Sequence, residues 1–165
     1  MGELFKFPEK VVRKAARNAA FAEGFRLRKE DKDLPTAAAL IRAALEKFPK
    51  YASGWKCLAD VLWRQDLHSA AAEAFAEAVK LRPNDEMSSS GRFFCSLDAE
   101  LFDNATEEAN RFLECIRRGV QYQEKHYLQA LIGAPKFRRS DRAVLAVIYF
   151  FALAFDMSST RLCTR

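Results

Sequence analysis

Two prolines set the frame for this chain. Pro49 and Pro83 lie 34 residues apart. Each follows a run whose apolar residues recur at steps of three and four, the period of an amphipathic helix. Proline cannot continue such a helix, because it has no amide proton and its ring crowds the preceding turn. An interval of this length holds two short helices and their turns. Helix pairs repeated in this way bury their apolar faces by stacking on the next pair. Composition agrees with helices packed on helices: half the chain is hydrophobic, 14 residues are Phe, alanine is abundant and β-branched residues are sparse. With Gly 6 and Pro 5 in 165 residues, collagen-like, linker-like and disordered chains are excluded, and the length suits one domain.

The punctuation predicts about eight helices. The first covers 8–29, with Val11, Val12, Ala15, Ala19, Phe21, Ala22 and Phe25 on its apolar side, and ends at the charged run 29–33 before Pro35. The second, 35–48, sets Ala37, Ile41, Ala44 and Leu45 on one face. Ser53 is the expected cap of a third that runs to about 65, and His68 or Ser69 opens a fourth that stops before Pro83. Asn84 is the expected cap of a fifth, in which Met87, Phe94, Leu97 and Leu101 share a face. Asp103 or Asn104 starts a sixth, with Ala105, Ala109, Phe112, Leu113 and Ile116 inside and Gly119 as its stop. Two more follow, 121–132 and about 140–155.

The residues Trp55, Leu58, Ala59, Leu62, Ala71, Phe75, Ala78 and Pro83 have the spacing W-x2-L-A-x2-L-x8-A-x3-F-x2-A-x4-P. This resembles the tetratricopeptide repeat, with Leu62 where that family usually has Tyr. Its physical logic is that Ala59 and Ala71 are small where the two helices come closest, while Trp55, Leu58, Leu62 and Phe75 fill the space around them. Ala37, Ile41, Ala44 and Pro49 repeat the second half of the pattern. Its first half fits best with Phe21, Ala22 and Phe25 answering to Leu58, Ala59 and Leu62, which requires a turn three residues longer. Ala109, Leu113 and Ile116 keep the spacing a third time.

The resemblance therefore implies one all-α domain over 1–165, a right-handed α-α superhelix. Its repeats would lie at about 15–51, 52–85 and 86–119, with capping helices over about 120–157. In that family the first helix of each pair lines a concave groove that binds a peptide or protein segment. Here the outward positions of the best-matched helix are Ser53, Lys56, Asp60, Trp63 and Arg64. Trp63 lies off the Trp55–Leu58–Leu62 stripe, and a Trp beside Lys56 and Arg64 has the composition of a binding hot spot; the alternative is that it packs under an adjacent loop or the first repeat's long turn. Arg26 and Phe94 extend this surface. The family's clamp for chaperone carboxylate tails is absent: its places hold Ala19 or Ala22, Cys57, and Met87 with Gly91.

Net charge is +5, concentrated at the two ends of the chain. Lys6, Lys10, Arg13, Lys14 and Arg17 form one stripe of the first helix. Such a stripe suits an acidic partner, RNA or anionic lipid, or is a solvated helix face, the reading favoured by the diluting Glu3 and Glu9; base-stacking aromatics do not interleave with it, which disfavours nucleic acid. Alternative readings are a small inhibitor or immunity-type protein masking one toxin or enzyme, and a basic adaptor for nucleic acid or a membrane surface. No Gly-rich phosphate loop, nucleophile elbow or paired-ligand motif is present, so no catalytic residue, metal site or cofactor is expected. Glu107-Glu108 and Asp85-Glu86 fit first helical turns, where acids suit the dipole.

Four scattered cysteines and two histidines argue for free thiols and a cytoplasmic setting. The start lacks a secretory pattern, Lys6 fails the myristoylation pattern and Cys163 fails the prenylation pattern. The apolar stretch 143–155 is too short to span a membrane and fits, in that order, a buried helix, a self-association surface or membrane-surface contact.

Overall fold

The computed structural model describes residues 8–119, which form six α-helices and no strand among them. They are α1 (Glu9–Glu30), α2 (Leu34–Lys47), α3 (Ala52–Arg64), α4 (His68–Leu81), α5 (Glu86–Asp98) and α6 (Phe102–Arg117). The expected helices 121–132 and 140–155 lie outside the described residues, as do Lys6 and Cys163.

The helix boundaries repeat at one interval. Helices α2, α4 and α6 begin at Leu34, His68 and Phe102, each 34 residues after the last, and α1, α3 and α5 end at Glu30, Arg64 and Asp98 with the same spacing. Every hairpin turn is thus three residues long, and the longer first turn expected from the sequence does not exist. What differs is the backbone within the turns. Asp31 and Asp33 take positive φ in the first, Asp66 in the second and Glu100 in the third. Asp tolerates the left-handed region through local side-chain hydrogen bonds, and the Asp33 carboxylate accepts from the Thr36 amide to cap α2.

Successive helices pack on one another, and α1 meets α3 just as α3 meets α5. Phe21 and Gly24 of α1 face Leu45 and Ile41 of α2, so those two run antiparallel; Phe21 meets Gly54 while Arg28 meets Asp60, so α1 and α3 run parallel. Ala37, Ala71 and Ala105 occupy one phase of the repeat and are all shut off from solvent. The third pair therefore follows Ala105, and the expected phase through Ala109 is displaced by one helical turn. Ala109 is only half-buried.

Close approach in the first pair also falls elsewhere than expected. Ala22 is exposed, whereas Gly24 is buried: a Cβ there would stand 2.7 Å from Ile41 Cγ1 and 3.3 Å from the Ala37 carbonyl oxygen. Val11, Val12, Ala15 and Ala19 are exposed too, because no described helix precedes α1 to cover that side. At the junctions between pairs, bare helix backbone seats an aromatic ring, Phe21 over Gly54 and Phe75 over Gly91.

Capping differs in detail. Ser53 lies within the first turn of α3 and caps nothing; Trp55 instead donates its indole N–H to the Pro49 carbonyl at 2.8 Å, tying the helix start to the preceding turn. Asp85, not Asn84, is the N-cap of α5, accepting from the Ser88 amide. Helix α6 starts at Phe102, ahead of Asp103, which places Glu107 and Glu108 beyond its first turn. Met87 is 64% exposed, and the buried side of α5 carries Phe93 and Cys95 instead.

Candidate binding surface

At 100° per residue, Ser53, Lys56, Asp60, Trp63 and Arg64 fall within one arc of α3, while Leu58, Ala59, Val61 and Leu62 occupy the opposite, buried arc. The 34-residue period carries that outward arc to both neighbours. Arg26 stands on α1, and Phe94 on α5, at the place of Asp60 on α3. Ala19 and Ala22 extend the arc on α1, as do Met87 and Leu97 on α5. The expected residues thus share one phase of three successive odd-numbered helices.

Their roles separate once their partners are seen. Trp63 is 47% exposed at the C-terminal end of α3. Asp60 is an internal clamp: its carboxylate accepts from Arg28 Nε at 2.7 Å and lies 3.2 Å from Arg64 Nη2. Arg64 also donates to Asp31 at 3.1 Å and to the Arg28 carbonyl, joining the first turn to α3. Burial is the largest influence on the Arg28 pKa and lowers it, but the hydrogen bond it donates to Asp60 and the attraction of Cys57 and Asp60 together hold the guanidinium above its usual value. Lys56 reaches the Asp85 carboxylate at 3.4 Å, linking α3 to the cap of α5. Arg26 is held by Glu23 at 2.6 Å and Glu30 at 2.9 Å, and those hydrogen bonds raise its pKa and lower that of Glu23. Phe94 is half-buried, its ring edge-on to Phe93 at 5.3 Å.

Trp63 is therefore an exposed aromatic set beside half-exposed charges whose positions are already fixed. Ordering those charges costs little on binding, because the intramolecular pairs have already restrained them.

A buried ionic cluster lies outside the arc and was missed in the sequence. Glu108 is 1% exposed between α5 and α6, where it accepts from Ser89 Oγ, from Arg92 at 2.9 Å and from Arg111. Arg92 also reaches Glu107 at 2.8 Å. Every member has partners within the fold, so the cluster is a structural joint. No signal short of the helix start at Phe102 distinguishes Glu108 from a surface acid.

Of the basic stripe, Lys6 lies outside the described residues and the other four members stand on α1. Lys10, Arg13, Lys14 and Arg17 project from one side of α1, and the α2–α3 turn brings Lys47 and Lys50 opposite them around a cleft of about 540 Å³. Cys57, Cys95 and Cys115 are free thiols. Among the described residues no group of three or more His, Cys, Asp and Glu is placed to hold a metal ion, and no helix is long and apolar enough to cross a membrane. No protein-family model matches the chain, and no curated protein is significantly similar to it.

Proposed function

We propose that this chain is a non-enzymatic tetratricopeptide-like repeat module. In this reading the three hairpins curve into a right-handed superhelix, and the outward arcs of α1, α3 and α5 form its concave side. An extended segment of another protein lies across them, with Trp63 as the aromatic anchor. The observation that carries the reading is Trp63 itself: a large ring left 47% exposed on the central odd-numbered helix. Aromatic anchors of this kind supply a large share of interface energy, and flanking groups exclude water around them. Lys56, Asp60 and Arg64 contribute shape and orientation, with Asp60 and Arg64 restrained by each other and Lys56 by Asp85.

A peptide library displayed on phage and selected against the whole chain tests the proposal. Selected peptides should lose affinity by about tenfold or more on Trp63→Ala, the cost of removing a hot-spot aromatic. The melting midpoint of the variant should stay near that of the parent, since an exposed side chain contributes little to folding. Selected peptides that bind Trp63→Ala as well as the parent, or a variant that unfolds readily, would assign Trp63 to packing and sink the reading.

A further inference from the structure

The cleft beside the first half of α1 is built differently from the Trp63 surface and lies at the other end of α3. Tyr51 borders it, and twelve helical residues, roughly 18 Å of rise, separate that position from Trp63. Its floor is apolar: Phe48, Pro49 and Tyr51 come from the α2–α3 turn. Its rim is wholly cationic, with four side chains from α1 and Lys47 and Lys50 from across the turn; no carboxylate lines it.

The cations are also largely unspent. Among the described residues no acid pairs with Lys10, Lys14, Lys47 or Lys50, while Arg13 lies 4.0 Å from an exposed Glu9. Arg17 spreads over the Tyr51 ring at 4.2 Å, and its Nε is buried without a hydrogen-bond partner. Six like charges around one opening repel one another, and an anion placed there relieves that repulsion.

We propose that this cleft holds a short acidic segment of another polypeptide, one that carries an apolar side chain among its carboxylates. The apolar residue sits on Phe48, Pro49 and Tyr51, and the flanking carboxylates meet the lysines of the rim. The rings argue against a nucleic acid. Tyr51 has one face under Arg17 and stands edge-on to Phe21 at 5.0 Å, and Phe48 is half-buried against the same Phe21, so neither presents a free platform for a base. The concave form argues against a membrane plane, and Val11 and Val12, the exposed apolar residues of this part of α1, point away from the stripe. The chain's own C-terminal stretch is also unsuited, because residues 134–165 carry six Lys and Arg against two Asp. The inference does not depend on the Trp63 reading.

Fluorescence anisotropy of the whole chain with a short labelled Asp/Glu peptide bearing one central Phe is the test. Binding should weaken with salt. It should fall about tenfold or more in the double variant Lys14→Glu with Lys50→Glu, which changes one exposed cation on each wall, with circular dichroism confirming that helicity is kept. Replacing the peptide's Phe by Ala should cost several-fold, and Lys80→Glu on α4, which does not line the cleft, should leave binding unchanged. The proposal is overturned if the peptide does not bind at low salt, or if the Ala peptide binds equally well. It is likewise overturned if Lys80→Glu weakens binding as much as the double variant does. Tighter binding of an oligothymidylate, or of phosphatidylserine vesicles, would assign the cleft to those anions instead.

Discussion

Cys95 lies 1% exposed on α5, and burial, with a smaller push from Asp98, raises its thiol pKa from the ordinary 9.0 to about 12. The folded chain therefore keeps a proton that the unfolded chain gives up. Below pH 9 this makes no difference to stability; between pH 9 and 12 the folded state binds more protons, so stability falls as pH rises. The slope approaches about 1.4 kcal/mol per pH unit for one thiol. Cys57, whose thiol is also raised mainly by burial, adds with the same sign. Urea midpoints measured from pH 8 to 11 should fall for the parent and fall less steeply for Cys95→Ala; parallel slopes would refute the assignment. Single residues were unevenly legible. Trp63 was found exposed because one residue of helix rotation separates it from Leu62. The contact of Gly24 with Ile41 carries no such signal, because a glycine in a helix reads as a cost and Ala22 and Phe25 have a similar spacing nearby.

Between elements, side-chain ties do what the apolar spacing does not reveal. The joint of α5 and α6 rests on Glu108, with Arg92 and Arg111 around it. Glu108→Ala leaves two largely buried guanidinium groups short of their carboxylate and should cost about 3–5 kcal/mol. Glu107→Ala removes a mostly exposed carboxylate and leaves Arg92 its bond to Glu108, so it should cost under about 1 kcal/mol. Chemical denaturation of the two variants checks the difference, and equal losses would show that burial of Glu108 carries no weight. Helix number and order up to α6 were legible, because proline and apolar periodicity mark helices from local information. The turn lengths and the third register were not. The polar run 29–33 looks long, yet two aspartates in the left-handed region close it in three residues. Ala105 and Ala109, one turn apart, are equivalent in the sequence until α5 is packed against one of them.

For the whole of the described region, protection follows neighbours. Helices α3 and α4 form the central pair and are packed on both sides, whereas among the described residues the first half of α1 is mostly exposed and borders the end of α2 and the α2–α3 turn across a cleft. In hydrogen exchange the amides of α3 and α4 should be the slowest, and those around Val11 and Val12 among the fastest, since local opening follows the lack of buried contacts. Uniform protection across all six helices would instead indicate a single cooperative block. The arcs on α3 and α5 keep the expected phase, whereas the longer first turn expected from the sequence would set Arg26 at the place of Trp63, and the constant 34-residue interval sets it at that of Asp60. The cleft was only half legible: the stripe on α1 shows in the sequence, but Lys47 and Lys50 become its opposite wall only when the chain turns back.

The constancy of the 34-residue interval makes the hairpins interchangeable at their seams. The stretch 52–85 enters and leaves at the same helical phase, so a gene carrying it twice would lengthen the array by one unit without turning any buried face outward. Such duplication would add a second indole to the same edge of the molecule and leave the cationic cleft where it is, at the beginning of the chain.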